Sequence, residues 1–229
     1  MSLKLVDIII PAYNEEESIS RVLEDIPMDL VREVVVCNNA STDGTAEVAK
    51  NLGATVVNQP LKGYGNACLK GMEYVANKDI KPDIIIFLDG DYSDHPEEIP
   101  NLLAPIHDGY DMVIGSRALG NMEKGAMMPQ QVFGNWLATN LIRLIYKYEF
   151  TDLGPFRAIR YDQLLSLNME DKTFGWTVEM QVKAAKMKLK CTEVPVTYRK
   201  RIGVSKVSGT IRGTILAGHK ILWTIFKLI

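Results

Sequence analysis

The chain has 229 residues, of which 47% are apolar, so it can bury one sizeable core without requiring a second domain. Its formal net charge of −2 makes nucleic acid an unfavoured partner. The three cysteines, Cys37, Cys68 and Cys191, are far apart and odd in number, which fits neither a disulfide framework nor a zinc site and indicates reduced thiols in a cytosolic protein.

Short apolar runs alternate with longer amphipathic runs through the first half of the chain. The apolar runs cover residues 5–10, 33–37, 55–57 and 84–88, and the amphipathic runs cover residues 16–25, 45–52, 66–76 and 97–106. This alternation predicts strands and helices in turn, and therefore a parallel sheet flanked by helices. A fifth strand is predicted at residues 112–114.

The composition changes after the fifth strand. Residues 118–131 are rich in glycine, methionine and polar side chains and predict a mobile loop, and residues 133–148 predict an amphipathic helix. Beyond them we predict a strand at 156–159, a helix at 178–188 and a strand at 192–198.

Polar clusters follow three of the predicted strands. They read PAYNEE at residues 11–16, CNNASTDGT at 37–45 and LDGD at 88–91. The carboxyl ends of parallel strands meet at one edge of the sheet, where open α/β sheets bind their ligands. The three clusters are therefore expected to build one pocket.

Three aspartates follow the fourth strand within six positions: Asp89, Asp91 and Asp94. Carboxylates this close repel one another unless a cation lies between them, and hard oxygen ligands suit Mg²⁺ or Mn²⁺. The alternative is that the acids cap the helix that begins near Pro96, which we expect for Asp94. For Asp89 and Asp91 both interpretations stay open.

The clusters after the first two strands suit a nucleotide. PAYNEE provides an aromatic ring and a carboxylate that could stack on and hydrogen-bond to a base or ribose, although a turn with Asn14 as a helix cap is the alternative. We expect Asn39 to face the ligand and Asp43 to cap the next helix. Residues 62–66, KGYGN, form a glycine loop that opens a helix and could bring Lys62 to a phosphate.

Single charged residues in the second half of the chain admit two interpretations each. Arg117 ends the fifth strand and could face a phosphate or form a surface salt bridge, while Asp152 and Arg157 flank a tight turn. Glu179, near the start of a helix, could be a general base or an acid favoured by the helix dipole.

The C-terminal region is basic and then amphipathic. Its basic residues could grasp a phosphate; they are Arg199, Lys200, Arg201, Lys206 and Arg212. Residues 211–229 carry apolar side chains, a tryptophan and interspersed basic groups, so the segment could lie in a membrane surface or pack as a helix on the domain. We find no segment long enough to span a bilayer, and since the sequence stops at Ile229 we expect any membrane attachment to be peripheral or through a partner.

Five motifs in this order and spacing, PAYNEE, NNASTDGT, DGD, GSR and GVSKVSGT, resemble the family 2 glycosyltransferases, and within them the polyprenyl-phosphate sugar synthases. The resemblance covers residues 5–212. It implies an α/β protein of the GT-A fold, with a mostly parallel central sheet flanked by helices. Residues 1–210 would form one catalytic domain, with a nucleotide-sugar half at 1–117 and an acceptor half at 118–210, followed by an amphipathic helix at 211–229.

The resemblance also implies roles for individual residues. The nucleotide-sugar side would comprise Pro11, Tyr13, Glu15, Asn39, Lys62, Asp89, Gly90 and Asp91. Asp89 and Asp91 would hold Mg²⁺ or Mn²⁺ and, with Arg117 and Glu179, would form the catalytic set. The acceptor or phosphate side would comprise Arg117, Arg199, Arg201, Ser205 and Lys206. The implied reaction moves a hexose from a UDP- or GDP-linked sugar to a polyprenyl phosphate, with inversion and in one displacement, at the cytoplasmic membrane face.

The chain departs from the family pattern at two places. Asn38 and Asn39 stand where relatives commonly carry aspartates, which leaves the preferred base open. The segment after DGD is about one residue longer, which leaves Ser93, Asp94 or water as the third metal ligand. Two other functions also remain: transfer to a sugar hydroxyl, which would require Glu179 or Asp152 as a base, and nucleotide-sugar binding without catalysis.

Overall fold

The computed structural model describes residues 4–204 and 211–229 of the chain. Within these residues a seven-stranded sheet has the strand order β3-β2-β1-β4-β6-β5-β7. The strands are β1 (Val6–Ala12), β2 (Glu33–Asn38), β3 (Thr55–Asn58), β4 (Ile84–Phe87), β5 (Met112–Ser116), β6 (Arg157–Arg160) and β7 (Cys191–Pro195). The helices are α1 (Ile19–Glu24), α2 (Thr45–Asn51), α3 (Tyr64–Ala76), α4 (Ile99–His107), α5 (Pro129–Tyr146), α6 (Tyr161–Ser166), α7 (Trp176–Lys186) and α8 (Ile211–Lys227).

The sheet is mostly parallel, as predicted. Strand β1 pairs in parallel with β2 and β4, β2 with β3, and β5 with β7. Strand β6 is the exception, because it lies antiparallel between β4 and β5. Strands β1 and β4 are buried along their whole length, which is the environment that the uninterrupted apolar sequence of β4 predicts. Strand β1 also buries one charged residue, Asp7, which pairs with Arg32 and Lys78.

Helices cover both faces of the sheet. One buried cluster joins the sheet to α3, α5, α7 and α8, and the other joins it to α1, α2 and α4. This arrangement leaves the carboxyl ends of β1, β2 and β4 free to carry a site, as open α/β sheets do.

The predicted elements differ from the structure mainly at their ends. Helix α5 begins at Pro129, inside the segment predicted as a loop, because proline suits the first turn of a helix. Strand β7 ends at Pro195, and Tyr198 pairs separately with Met122 in an isolated bridge. Helix α6 was not predicted; it begins directly after β6, and no turn residue separates the two elements.

Helix α8 packs on the domain through one side. Ile225 is fully buried, the Tyr146 hydroxyl donates to its carbonyl, and Lys186 donates to the carbonyl of Leu228. Its main contacts are with α5 and α7. The opposite side exposes large apolar side chains, namely Ile215, Leu216, Trp223 and Phe226. Among the described residues, no helix combines the length and apolar character needed to cross a bilayer.

Candidate active site

A cleft of about 330 Å³ opens at the carboxyl edge of β1, β2 and β4. It brings together the polar clusters that follow these three strands, which are far apart in sequence. Every residue predicted for the nucleotide-sugar side lines it, together with Arg201: Pro11, Tyr13, Glu15, Asn39, Lys62, Asp89, Gly90 and Asp91. Ala12, Gly63, Tyr64, Ala67 and Phe174 complete the walls.

Two carboxylates face this cleft from the end of β4. The Tyr64 hydroxyl donates to Oδ1 of Asp89 at 2.9 Å. Asp91 is buried; its Oδ1 accepts the Ser93 N–H at 2.9 Å, and its Oδ2 lies 3.0 Å from Nη1 of Arg201. Burial, reinforced by the nearby charge of Asp91, raises the pKa of Asp89 to about 7.

The expectation that Asp94 caps a helix is wrong. The residue before the 3₁₀ turn at Pro96–Glu98 is His95, and no side chain caps the turn. Asp94 is only 2% exposed, and neither of its carboxylate oxygens has a hydrogen-bond partner among the described residues. Burial, and then the charges of Asp89 and Asp91, raise its pKa well above the usual range. Asp94 therefore lies close enough to Asp89 and Asp91 for their charges to raise its pKa.

The raised pKa of Asp89 predicts how stability depends on pH in metal-free buffer. This carboxyl titrates at about 7 in the folded chain and at an ordinary value of 3.8 in the unfolded chain. Between about pH 4 and pH 7 the folded state therefore keeps a proton that the unfolded state has lost. The contribution of Asp89 to the free energy of unfolding is fully present below about pH 4 and is lost as the pH rises through about 7. Asp94 acts in the same direction.

The measurement is thermal unfolding of wild type and Asp89→Asn between these pH values, with a chelator present. Because other acids titrate in both proteins, the difference between the two melting temperatures is the informative quantity. We expect wild type to lose stability relative to Asp89→Asn as the pH rises. A difference that stays constant across the range would contradict the raised pKa.

Aromatic and basic side chains also line the cleft. Lys62 donates to the Tyr13 hydroxyl at 2.7 Å and lies 4.5 Å from the centre of that ring. Arg201 bridges two acids of the cleft, since its Nη2 lies 2.9 Å from Oε1 of Glu15 while its Nη1 contacts Asp91. A ring, a lysine and an arginine next to two aspartates suit a ligand that combines a flat base with phosphate groups.

The side chain of Asn39 holds the loop that carries Lys62. Its amide nitrogen donates to the carbonyls of Gln59 and Leu61, and its carbonyl oxygen accepts the Gly63 N–H at 2.8 Å. Asn39 thus lines the cleft while shaping its glycine loop. Asp43 is not the N-cap of α2, which is Gly44, but its Oδ1 accepts the N–H of Thr45, the first residue of that helix, at 3.1 Å.

Arg117 does not line the cleft. Its Nε and Nη2 donate to Asp152 at 2.7 and 2.6 Å, and its own N–H donates to the same carboxylate at 2.8 Å. Asp152 is 1% exposed, so this is a buried ion pair rather than the surface salt bridge considered from the sequence. Both oxygens of Asp152 are occupied, which leaves it poorly placed to act as a base.

Glu179 also lies outside the cleft, and its predicted catalytic role is not retained. Its carboxylate accepts the N–H groups of Glu170 and Asp171, the latter at 2.7 Å, and pairs with Lys183 at 2.8 Å. These contacts make Glu179 a residue that positions a segment of backbone. Helix spacing could show the pair with Lys183 but not the two backbone contacts, because Glu170 and Asp171 precede the helix.

The remaining predicted phosphate-side residues separate into two groups. Arg199 holds the turn after the aspartates, since it donates to the carbonyls of Tyr92 and Asp94 at 2.7 and 3.0 Å and lies 3.3 Å from the centre of the Tyr92 ring. Ser205 and Lys206 lie outside the described residues. Of the two described residues, Arg201 lines the cleft and Arg199 does not.

Two aromatic residues of the cleft, Tyr64 and Phe174, were missed in the sequence. Tyr64 stands inside the glycine loop that we assigned to phosphate, and its contact with Asp89 links elements that are 25 positions apart. Phe174 comes from a connection between α6 and α7 that shows no motif. Tyr64 could have been found from its place in the loop, whereas nothing in the local sequence identifies Phe174.

The aspartate pair fits a hard divalent cation that is shared with a ligand. Residues 4–204 and 211–229 contain no group of three or more His, Cys, Asp or Glu side chains arranged to enclose a metal. Mg²⁺ sites with phosphate ligands commonly use only one or two carboxylates and complete the shell with water and phosphate oxygens. Asp89 and Asp91, next to the buried and unpaired Asp94, meet that description.

Comparison with known proteins identifies the family. The model described as "Glycosyl transferase family 2" matches residues 7–165. The chain is 35% identical over 197 residues to glycosyltransferase AglJ of Haloferax volcanii, covering 86% of this chain and 63% of that protein, so it spans less than two thirds of this relative. It is 32% identical over 218 residues to the undecaprenyl-phosphate mannosyltransferase of Micrococcus luteus, covering 90% of this chain and 88% of that protein.

A solved structure shows the same fold. Glucosyl-3-phosphoglycerate synthase of Mycobacterium tuberculosis, solved with Mn²⁺, UDP and phosphoglyceric acid, superposes with a TM-score of 0.78. The match covers 98% of this chain and 78% of that one at 21% sequence identity. It confirms the predicted α/β architecture of the GT-A type.

Proposed function

The chain belongs to glycosyltransferase family 2, and from that premise we propose that it transfers a hexose from a nucleoside-diphosphate sugar to a polyprenyl phosphate, with inversion at the sugar. The observation that carries the donor side of this proposal is the cleft itself. It joins the Asp89 and Asp91 pair to an aromatic ring, a lysine and an arginine at the carboxyl edge of the sheet.

The donor would lie across the wall formed by β1, β2 and the glycine loop. Pro11, Tyr13, Glu15 and Asn39 would contact the nucleoside of a UDP- or GDP-linked sugar, and Lys62 would contact its phosphates. Asp89 and Asp91 would hold Mg²⁺ or Mn²⁺, and Gly90 between them would line the donor side of the cleft. The cation would supply positive charge to the leaving diphosphate. Arg201 already contacts Asp91 and would add a second positive group there.

The acceptor proposal is supported by the positions of Asp152 and Glu179, neither of which lines the cleft. A phosphate monoester is ionised at neutral pH and needs no strong base, whereas a sugar hydroxyl does. The two bases considered for a hydroxyl acceptor are engaged elsewhere, Asp152 by Arg117 and Glu179 by backbone N–H groups. A phosphate oxygen would attack the anomeric carbon, the bond from that carbon to the diphosphate oxygen would break, and the nucleoside diphosphate would leave.

We place this reaction at the cytoplasmic membrane face, where a polyprenyl phosphate would be accessible. The surface of helix α8 suits this location, because the helix packs on the domain by one side and exposes Trp223 and Phe226 on the other. The basic character of residues 211–229 would favour a surface with anionic lipid headgroups. The name of the Micrococcus relative supports a polyprenyl phosphate as acceptor.

The experiment that tests this function is a donor panel. UDP- and GDP-sugars are incubated with the protein and Mn²⁺ or Mg²⁺, with and without a short-chain polyprenyl phosphate, and released nucleoside diphosphate is measured. We expect release that requires both the lipid and one class of donor. Release that appears only with sugar acceptors would overturn the lipid proposal and favour transfer to a hydroxyl.

A further inference from the structure

A connection between α6 and α7 packs on the glycine loop of the cleft. The N–H of Gly65 donates to the carbonyl of Thr173 at 3.2 Å, and the N–H of Asn66 donates to the carbonyl of Lys172 at 3.0 Å. The next residue, Phe174, lines the cleft. The segment 170–175 therefore sets the position of the loop that opens α3.

The contact between these two backbones is direct. A β-carbon placed on Gly65 would lie 1.9 Å from the carbonyl oxygen of Asp171, and one placed on Gly63 would lie 2.2 Å from that of Lys172. Gly63 also has a φ of +138°, which side chains rarely adopt. Because no side chain cushions the contact, a shift of the segment 170–175 must move the glycine loop.

The side chain of Asp171 organises this segment. Its Oδ1 accepts the N–H groups of Thr173 and Gly175, at 2.8 and 3.1 Å. Its Oδ2 lies 2.7 Å from Nζ of Lys220, which belongs to α8. The Asp171 side chain is only 6% exposed, so the loss of Lys220 would leave this buried acid without its cationic partner.

Helix α8 also contacts the segment 170–175 through Thr224, which lies against Gly175. A β-carbon on Gly175 would lie 2.4 Å from Oδ2 of Asp171 and 2.5 Å from Oγ1 of Thr224. Nearby, Glu179 binds the N–H groups of residues 170 and 171 and has its own partner in Lys183. The two carboxylates that hold the segment thus each pair with one lysine. Glu179 pairs with Lys183 of α7, and Asp171 pairs with Lys220 of α8.

We propose that Lys220 is a positioning residue for donor binding. Through Asp171 it fixes the segment 170–175, and this segment fixes the glycine loop that presents Lys62 and Tyr64 to the cleft. The inference rests on the proposed donor site. It gives α8 a second role, because the helix that we place at the membrane surface also shapes the nucleotide cleft.

The test compares three variants by titration with UDP and with GDP in the presence of Mn²⁺. Lys220→Met keeps most of the apolar stem and removes the charge, Lys220→Arg restores the charge, and Lys227→Met removes an exposed charge from the same helix. We expect Lys220→Met to raise the Kd of the bound nucleotide about three- to tenfold, which corresponds to a modest coupling between Lys220 and the donor site. Lys220→Arg and Lys227→Met should bind like wild type.

Two further measurements separate positioning from a loss of folding. In turnover assays the donor KM should rise for Lys220→Met while kcat and the acceptor KM stay unchanged. Amide hydrogen exchange should accelerate at residues 62–66 and 170–175 but not in β1 or β4.

The failure of this inference is distinguishable from failure of the proposed function. If wild type binds a nucleotide and Lys220→Met binds it equally well, the inference falls alone. Equal weakening in Lys227→Met would also overturn it, because the effect would then be a general loss of charge. If wild type binds neither UDP nor GDP, the donor site falls, and the inference falls with it.

Discussion

Replacing Asp91 with asparagine is expected to lower the kcat of sugar transfer about a thousandfold, the loss that follows removal of one major electrostatic group from an active site. Asp91 lines the cleft, and the proposed cation would lose one of its two carboxylate ligands. An amide is nearly the same size as a carboxylate, so the effect should come from charge. The measurement is kcat with saturating donor and acceptor over a range of Mn²⁺ concentrations.

The matched control is Asp29→Asn, which removes a carboxylate from an exposed position. It should leave kcat unchanged. Asp91→Asn should remain folded, because removing one of two neighbouring negative charges relieves repulsion with Asp89. Turnover of Asp91→Asn at the wild-type rate would remove Asp91 from the proposed cation site.

Replacing Arg117 with methionine is expected to lower the free energy of unfolding by about 3 kcal/mol, the lower end of the range for removing one partner of a buried ion pair. The Asp152 carboxylate would stay 1% exposed and lose both of its guanidinium contacts. Methionine fills a similar volume, so the expected loss is electrostatic rather than a cavity. The measurement is urea-induced unfolding at neutral pH.

Two variants calibrate that result. Arg143→Met removes an exposed arginine of α5 and should change stability little. The double variant Arg117→Met, Asp152→Asn should recover part of the loss, since no uncompensated charge is then buried. Full stability of Arg117→Met with loss of activity would contradict the structural role and return Arg117 to the catalytic set.

The strands that carry the site could be predicted because their sequences are locally unambiguous. Residues 84–88 are apolar without interruption, and a strand buried on both faces requires that pattern. The direction of β6 could not be predicted in the same way. Its sequence shows a short apolar strand, but its antiparallel position depends on pairing with β4 and β5, which are distant in sequence.

The same distinction applies to the site. Asp89, Asp91 and Tyr13 follow parallel strands, so topology alone brings them to one edge. From the sequence, Arg117 and Glu179 were equally good candidates for catalytic residues. Their roles depend on partners that only the fold reveals: Asp152 for Arg117, and the backbone N–H groups at 170–171 for Glu179. The link from Lys220 to Asp171 joins residues 49 positions apart and leaves no local signal.

Transfer of the sugar to a phosphate-bearing lipid can be tested by following the hexose itself. A donor labelled in its hexose is incubated with polyprenyl phosphate, with the corresponding polyprenol, or with no lipid, and label in the organic phase is identified by mass spectrometry. We predict a polyprenyl-phosphate hexose in the first reaction and no lipid-linked label in the other two. Label that passes only to a sugar hydroxyl, or equally to polyprenol, would contradict the account.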